Sequence, residues 1–245
     1  MDTTAYIGEV LSGVVFLFVG VRLYLHSRRT GHLPETLIAT SFLLWVLSYA
    51  FWDIPYAFVD SEELVPAFCS YGSLIALALG NVIFTFFIRA VFRSDARWAT
   101  WLVAAIVVSN LVGVAGAGWV GDWEGDNPLA NPWYWLEFFG SFAPSIWMGA
   151  EGFAQYFKTR KQLKLGFCEP MVCNRFLLWG MAGSLWFILE AIVAASDLVY
   201  ALTGQWSELL GAGIAFFEFL PIAIVWFVFF PPAAYQRWVE GAAAS

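Results

Sequence analysis

The sequence predicts an all-α polytopic membrane protein: a seven-transmembrane-helix bundle, N-terminus outside and C-terminus cytoplasmic, as one domain over residues 1–245. Three observations predict it. Hydrophobic residues make up 60% of the 245 and charged residues only 13%, against about 25% charged in a soluble domain. Such a chain cannot cover a water-facing surface. Apolar runs near the length of about 20 residues that a helix needs to cross a bilayer recur between short polar breaks. The charges are also sorted by sign along the chain.

The runs fall at 5–25, 35–58, 66–91, 98–119, 133–157, 174–198 and 209–230. The first begins with MDTTAYIGE, acidic and without Lys or Arg. A signal peptide carries positive charge there, so an uncleaved first helix is expected. Its positive charge follows instead: Arg22, Arg28 and Arg29 close span 1 and precede span 2. Arg89, Arg93 and Arg97 surround the break between spans 3 and 4, and Lys158, Arg160, Lys161, Lys164 and Arg175 the break between spans 5 and 6. Arg237 lies in the tail after span 7. The other side carries Asp2, Asp60, Glu62, Glu63, Asp122, Glu124, Asp126 and Glu208. Cytoplasmic loops concentrate Lys and Arg, which sets the orientation. Arg22 and Arg89 are expected to snorkel to the surface. In the tail, Pro231 and Pro232 mark a helix exit, with Tyr235, Arg237 and Trp238 as interfacial anchors.

Several chemistries are excluded. A net charge of −7 leaves no basic footprint for nucleic acid. The three lysines sit in one inner break, so the intramembrane lysine of a retinal Schiff base is missing. The two histidines, His26 and His32, lie at the inner surface, which leaves no bis-histidine haem or His-rich zinc site in the core. Cys168 and Cys173 are expected to stay reduced, without enough partners for a metal. Neither G-x-S-x-G nor a P-loop occurs. No enzyme, metal or covalent cofactor is expected; lipid or pigment held non-covalently stays open.

The positive signal is acid inside the spans. Asp53, Glu137, Glu151, Glu190 and Glu218 fall within spans 2, 5, 6 and 7. A carboxylate at a helix centre costs about 2.5–3.5 kcal/mol on insertion scales, and no intramembrane Lys or Arg is expected at their depth. They must be protonated, hydrogen-bonded, hydrated or paired with a bound cation. Glu137, Ser141, Pro144, Met148, Glu151 and Gln155 make one helical stripe; Trp179, Trp186, Glu190 and Asp197 make another. Ser41, Trp45, Ser48 or Tyr49, and Trp52 or Asp53 share a face of span 2. In span 3, Ser73, Asn81, Thr85 and Arg89 follow one face. In span 7, Pro221 is expected to free a carbonyl beside Glu218. Polar stripes should face the bundle interior.

The candidate ligand- or proton-binding set is therefore Asp53, Glu137, Glu190, Glu218, Asn81, Trp45, Trp52 and Trp186, in the outer half of the bundle. Carboxylates beside aromatic faces suit an organic cation. The structural alternatives are acids as protonated hydrogen-bond links between helices, Asp53 and Glu137 at the outer interface, tryptophans as interface belt, and Asn81 as an interhelical hydrogen bond. Three functions follow. The first is a ligand-binding or sensory protein. The second is a structural or assembly subunit of a larger membrane complex. The third is a proton- or cation-coupled transporter, with Asn81, Thr85 and Glu151 continuing a polar path inward. The partners implied are membrane lipids, a small-molecule or cationic ligand, and a membrane or cytoplasmic protein at the basic loops.

Three segments, RTGHLPETLIATSFLL, FIRAVFRSDARWA and FFPPAAYQRWVE, together resemble a group of uncharacterised bacterial inner-membrane proteins of seven spans. The resemblance implies a bacterial cytoplasmic membrane and no particular activity. The N-out, C-in arrangement is similar to that of rhodopsins and G-protein-coupled receptors in topology alone.

Overall fold

A computed structural model describes residues 3–58, 67–120, 131–205 and 207–244. They form eight helices: α1 Thr3–Thr30, α2 Leu33–Phe58, α3 Ala67–Phe92, α4 Arg97–Val120, α5 Pro132–Lys164, α6 Pro170–Thr203, α7 Glu208–Phe229 and α8 Ala233–Ala244. Local chemistry sets the ends. Gly31, at φ 70°, turns the chain between α1 and α2 within two residues. Asn131 caps α5 by accepting from the Trp133 amide at 3.0 Å, with Pro132 in the first turn. Ser207 caps α7 through the Leu210 amide. Gly204, at φ 67°, closes α6.

Consecutive helices from α1 to α7 run antiparallel. Phe16 meets Trp45 and Tyr49 while Gly20 meets Phe42, and Gly113 faces Glu137 while Asn110 faces Gly140. The ring closes where α1 packs on α7, with Phe18 stacked on Trp226. α5 packs against α3, α4 and α6. The bundle's outer faces carry large apolar side chains: Phe18, Phe68, Trp101, Val108, Leu111 and Leu202 are all exposed. Water would not tolerate so continuous an apolar surface, and lipid requires it. The chain is an integral membrane protein.

The count of spans departs from the expected seven. Among the described residues, five segments are long and apolar enough to cross: Leu11–Thr30, Leu33–Phe51, Phe68–Phe92, Arg97–Ala117 and Pro170–Thr203. A sixth is added only if Phe217–Phe229 and Ala233–Ala242, bent by 81° at Phe230–Pro232, count as one broken span. The 133–157 run fails on chemistry. Its Trp and Tyr are amphipathic, its Ser, Gly and Pro are weakly apolar, and Glu137 and Glu151 interrupt it. Transfer into lipid rests on Leu, Ile, Phe and Val, and counting every aromatic as apolar overestimates the spans.

Two boundaries also differ. Lys158, Arg160, Lys161 and Lys164 lie on α5, not in a loop, because Lys, Arg, Gln and Leu favour helix and cations suit a helix C-terminus. The tail is a helix, α8, after the Pro231–Pro232 break. Tyr235 holds it to α6 by exchanging hydrogen bonds with the Asn174 amide, at 2.8 and 3.2 Å.

Candidate functional site

The inward stripes meet at a cavity of about 280 Å³ between α1, α2, α3, α5, α6 and α7. Pockets for small molecules span about 300–1,000 Å³, so the occupant is small. Five of the candidate residues line it: Trp45, Asn81, Trp186, Glu190 and Glu218. Glu137 does not. It is buried against Gly113 of α4, with Oε1 lacking a hydrogen-bond partner among the described residues. It nonetheless lies within electrostatic reach of Glu190, as does Glu218. The side chains of Trp52 and Asp53 lie outside the described residues.

Aromatic rings form one wall. Trp45 and Trp186 meet edge to face at 5.8 Å, and Phe84 touches both, at 5.3 and 5.4 Å. Phe16 reaches Trp45 at 5.9 Å. Such offset geometry is the favoured one for aromatic pairs. A polar network fixes the wall: the Trp45 indole N–H donates to Asn81 Oδ1 at 3.0 Å, which orients Asn81 and leaves its Nδ2 without a partner among the described residues. Ser48 and Ser73 share a hydrogen bond of 2.9 Å across α2 and α3. The Tyr49 hydroxyl donates to Glu218 Oε1 at 2.6 Å. The lining contains two carboxyls and no Lys, Arg or His.

The stripes predicted these positions. Phe16, Phe84, Ser145 and Leu189 also line the cavity and were not foreseen. For α1 a signal existed: Ser12, Phe16, Val19, Leu23 and Ser27 fall on one helical face, and all are buried.

The polar path expected inward through Asn81, Thr85 and Glu151 is absent from the described residues. The Thr85 hydroxyl donates to the Asn81 carbonyl of its own helix at 2.7 Å. Behind it, Phe84 stacks on Phe87 at 6.0 Å and Phe87 packs on Trp179 at 5.1 Å, so aromatic rings pack on the inner side of the cavity. Glu151 is occupied elsewhere. Arg93, just past the end of α3, donates from Nε to Glu151 Oε1 at 2.7 Å. The expectation that no cation reaches the acids therefore fails for Glu151, because an arginine at a helix end folds back into the bundle. That hydrogen bond, and then the charge of Glu151, hold the Arg93 pKa above its ordinary value.

Arg93→Gln is expected to strand Glu151, whose side chain is 7% exposed against 40% for Arg93. Breaking a fully buried pair costs about 3–5 kcal/mol. Screening at the exposed guanidinium reduces this to about 1–3 kcal/mol. Thermal unfolding in detergent reads the loss, and Arg93→Gln/Glu151→Gln should recover part of it. An unchanged midpoint in the single variant contradicts the pair's role.

Arg22 is exposed and lies across the rings of Trp226 and Phe230, at 4.9 and 4.8 Å. Arg89 does reach the helix end, donating from Nη2 to the Ser94 carbonyl.

A second cavity, of about 330 Å³, lies toward the basic end. From Phe16 to His26 on α1, or from Glu218 to Val228 on α7, it is displaced ten residues from the first, about 15 Å at helical rise. The aromatic layer separates the two.

No protein-family model, curated protein or solved structure matches this chain.

Proposed function

We propose that this chain is a ligand-binding membrane protein, sensory in role, that holds a small organic cation in the Glu190–Glu218 cavity. The observation that carries this reading is the lining itself: two carboxyls share it with aromatic rings, with no basic side chain among the described lining residues. A carboxylate away from water is costly unless paired, and a bound cation lowers that cost. The faces of Trp45, Trp186 and Phe84 attract it further through their quadrupoles. The ligand class is a quaternary ammonium or a protonated amine with a compact apolar body. Asn81 Nδ2 is a donor for a hydroxyl or carbonyl on that body.

Binding is favoured over catalysis because the cavity serine hydroxyls are engaged with one another or with backbone carbonyls, not activated by an adjacent base. It is favoured over transport because aromatic rings pack on the inner side and the cavity beyond is lined by His26, His32 and Arg175, a poor exit for a cation. With basic residues at the cytoplasmic face, the ligand site lies in the outer half. The resemblance of its three segments to bacterial inner-membrane proteins supports a bacterial cytoplasmic membrane as its location.

Native mass spectrometry of protein extracted in mild detergent tests the reading. The wild type is expected to retain a small cation, or to acquire choline when supplied. Trp186→Leu should weaken choline retention about three- to thirtyfold, the range of a cation–π contact. A wild type that retains no small molecule and acquires no choline contradicts the proposal.

A further inference from the structure

We infer that the second cavity binds a phosphate-bearing anion at the basic end of the bundle. His26 at the end of α1, His32 in the α1–α2 turn and Arg175 in the second turn of α6 converge on it from three elements. Phe87, Trp179 and Phe229 form its apolar wall. Its one acid, Glu35, is engaged: Oε2 accepts from the Thr30 hydroxyl, and Oε1 lies 3.5 Å from His26 Nε2. His32 and Arg175 have no carboxylate partner among the described residues. The cavity thus presents an unpaired guanidinium and an imidazole over an aromatic floor. The planar fork of arginine matches phosphate oxygens in pairs.

The first cavity shows the contrast. One end of the bundle pairs acids with aromatics, and the other pairs basic groups with aromatics. Arg28 and Arg29 stand exposed at the same end, adding an attractive field for anions. Phosphate chemistry has two sources here: the headgroup of an anionic phospholipid, whose chain follows the apolar wall, and a free phosphate. The site is independent of Glu190 and Glu218.

The test uses the delipidated full-length protein in detergent, with phosphatidylglycerol, phosphatidylcholine and inorganic phosphate as probes read by native mass spectrometry. The wild type should retain phosphatidylglycerol over phosphatidylcholine. Arg175→Gln and His32→Gln, both at exposed positions that leave the fold intact, should each lower that preference at least about fivefold, the loss expected for a charge-assisted hydrogen bond. Arg175→Lys should restore part of it. Glu35→Gln should raise it, because the variant removes the only opposing charge while still accepting from Thr30. Lys161→Gln, exposed on α5 and away from the cavity, should leave it unchanged. Displacement of the lipid by millimolar inorganic phosphate assigns the site to the phosphate group alone; resistance assigns it to the lipid headgroup with its chain. A wild type without anionic preference overturns the inference, as does an Arg175→Gln variant that keeps it or a Lys161→Gln variant that loses as much.

Discussion

Glu190→Gln is expected to weaken choline binding about 10- to 100-fold and leave the protein folded. The substitution keeps the shape of the side chain and removes only its charge. A charge pair at about 4 Å is worth up to about 4 kcal/mol at an effective dielectric of 20. Desolvation of the carboxylate and the ligand takes back a good part, leaving the equivalent of one to two factors of ten. Glu218→Gln should act in the same direction. Its Tyr49 hydrogen bond of 2.6 Å survives, because a glutamine oxygen also accepts from a hydroxyl. The double variant should bind too weakly to measure by equilibrium dialysis. Stability should hold or rise, since an amide is cheaper than a carboxylate in a cavity that carries no positive side chain. If both single variants bind choline as the wild type does, the carboxyls are hydrogen-bonding links between helices.

The second large effect is on assembly of the bundle. α5 and α6 cross with backbone against backbone. A Cβ on Gly152 would lie 2.3 Å from the Gly180 amide nitrogen, and one on Gly183 would lie 2.3 Å from that of Gly149. The obstacles are main-chain atoms, so no rotamer change relieves them. Gly152→Ala or Gly183→Ala is expected to cost about 3 kcal/mol, the upper end for forcing extra volume into a packed interior. It should also weaken choline binding, because α6 carries Trp186 and Glu190 while α5 carries Ser141 and Ser145 of the same cavity. Gly211→Ala is the control: nothing lies within 4 Å of its added Cβ, and alanine favours helix. Its unfolding midpoint should match or exceed that of the wild type. Equal midpoints for Gly152→Ala and Gly211→Ala would show that the crossing is looser than the backbone separation implies.

What could be read from the sequence follows from helical periodicity. The Glu137–Met148–Glu151 stripe is buried as its spacing requires, and Trp45, Asn81, Trp186 and Glu190 came to one cavity from three separate runs. A polar group in an apolar helix has one tolerable direction, inward, so its facing is legible without knowing the fold. Partners are not. Periodicity placed Glu151 on the inner face, but nothing in it says that Arg93, 58 residues earlier, returns to that level. Nor does it say that Glu137 packs beside Gly113 instead of lining the cavity. Apolar contributors carry no signal of their own, which is why Phe84 and Leu189 were missed. The span count failed for a different reason: Trp, Tyr and small residues look apolar in a run but contribute little to transfer. The amphipathic α8 was hidden by Pro231 and Pro232, which read as an ending and in fact redirect the chain by 81°.

The most direct test of the central claim compares two ligands of one shape. Choline and 3,3-dimethylbutan-1-ol differ in the exchange of a quaternary nitrogen for carbon, so they match in size and hydroxyl and differ in charge. Calorimetric titration of each into the purified protein isolates the carboxylate and cation–π terms from cavity fit. The account predicts that choline binds at least about tenfold more tightly than the neutral alcohol, and that this difference disappears in Glu190→Gln/Glu218→Gln. Equal affinity for the two ligands in the wild type, or a choline preference that survives the double substitution, would contradict it.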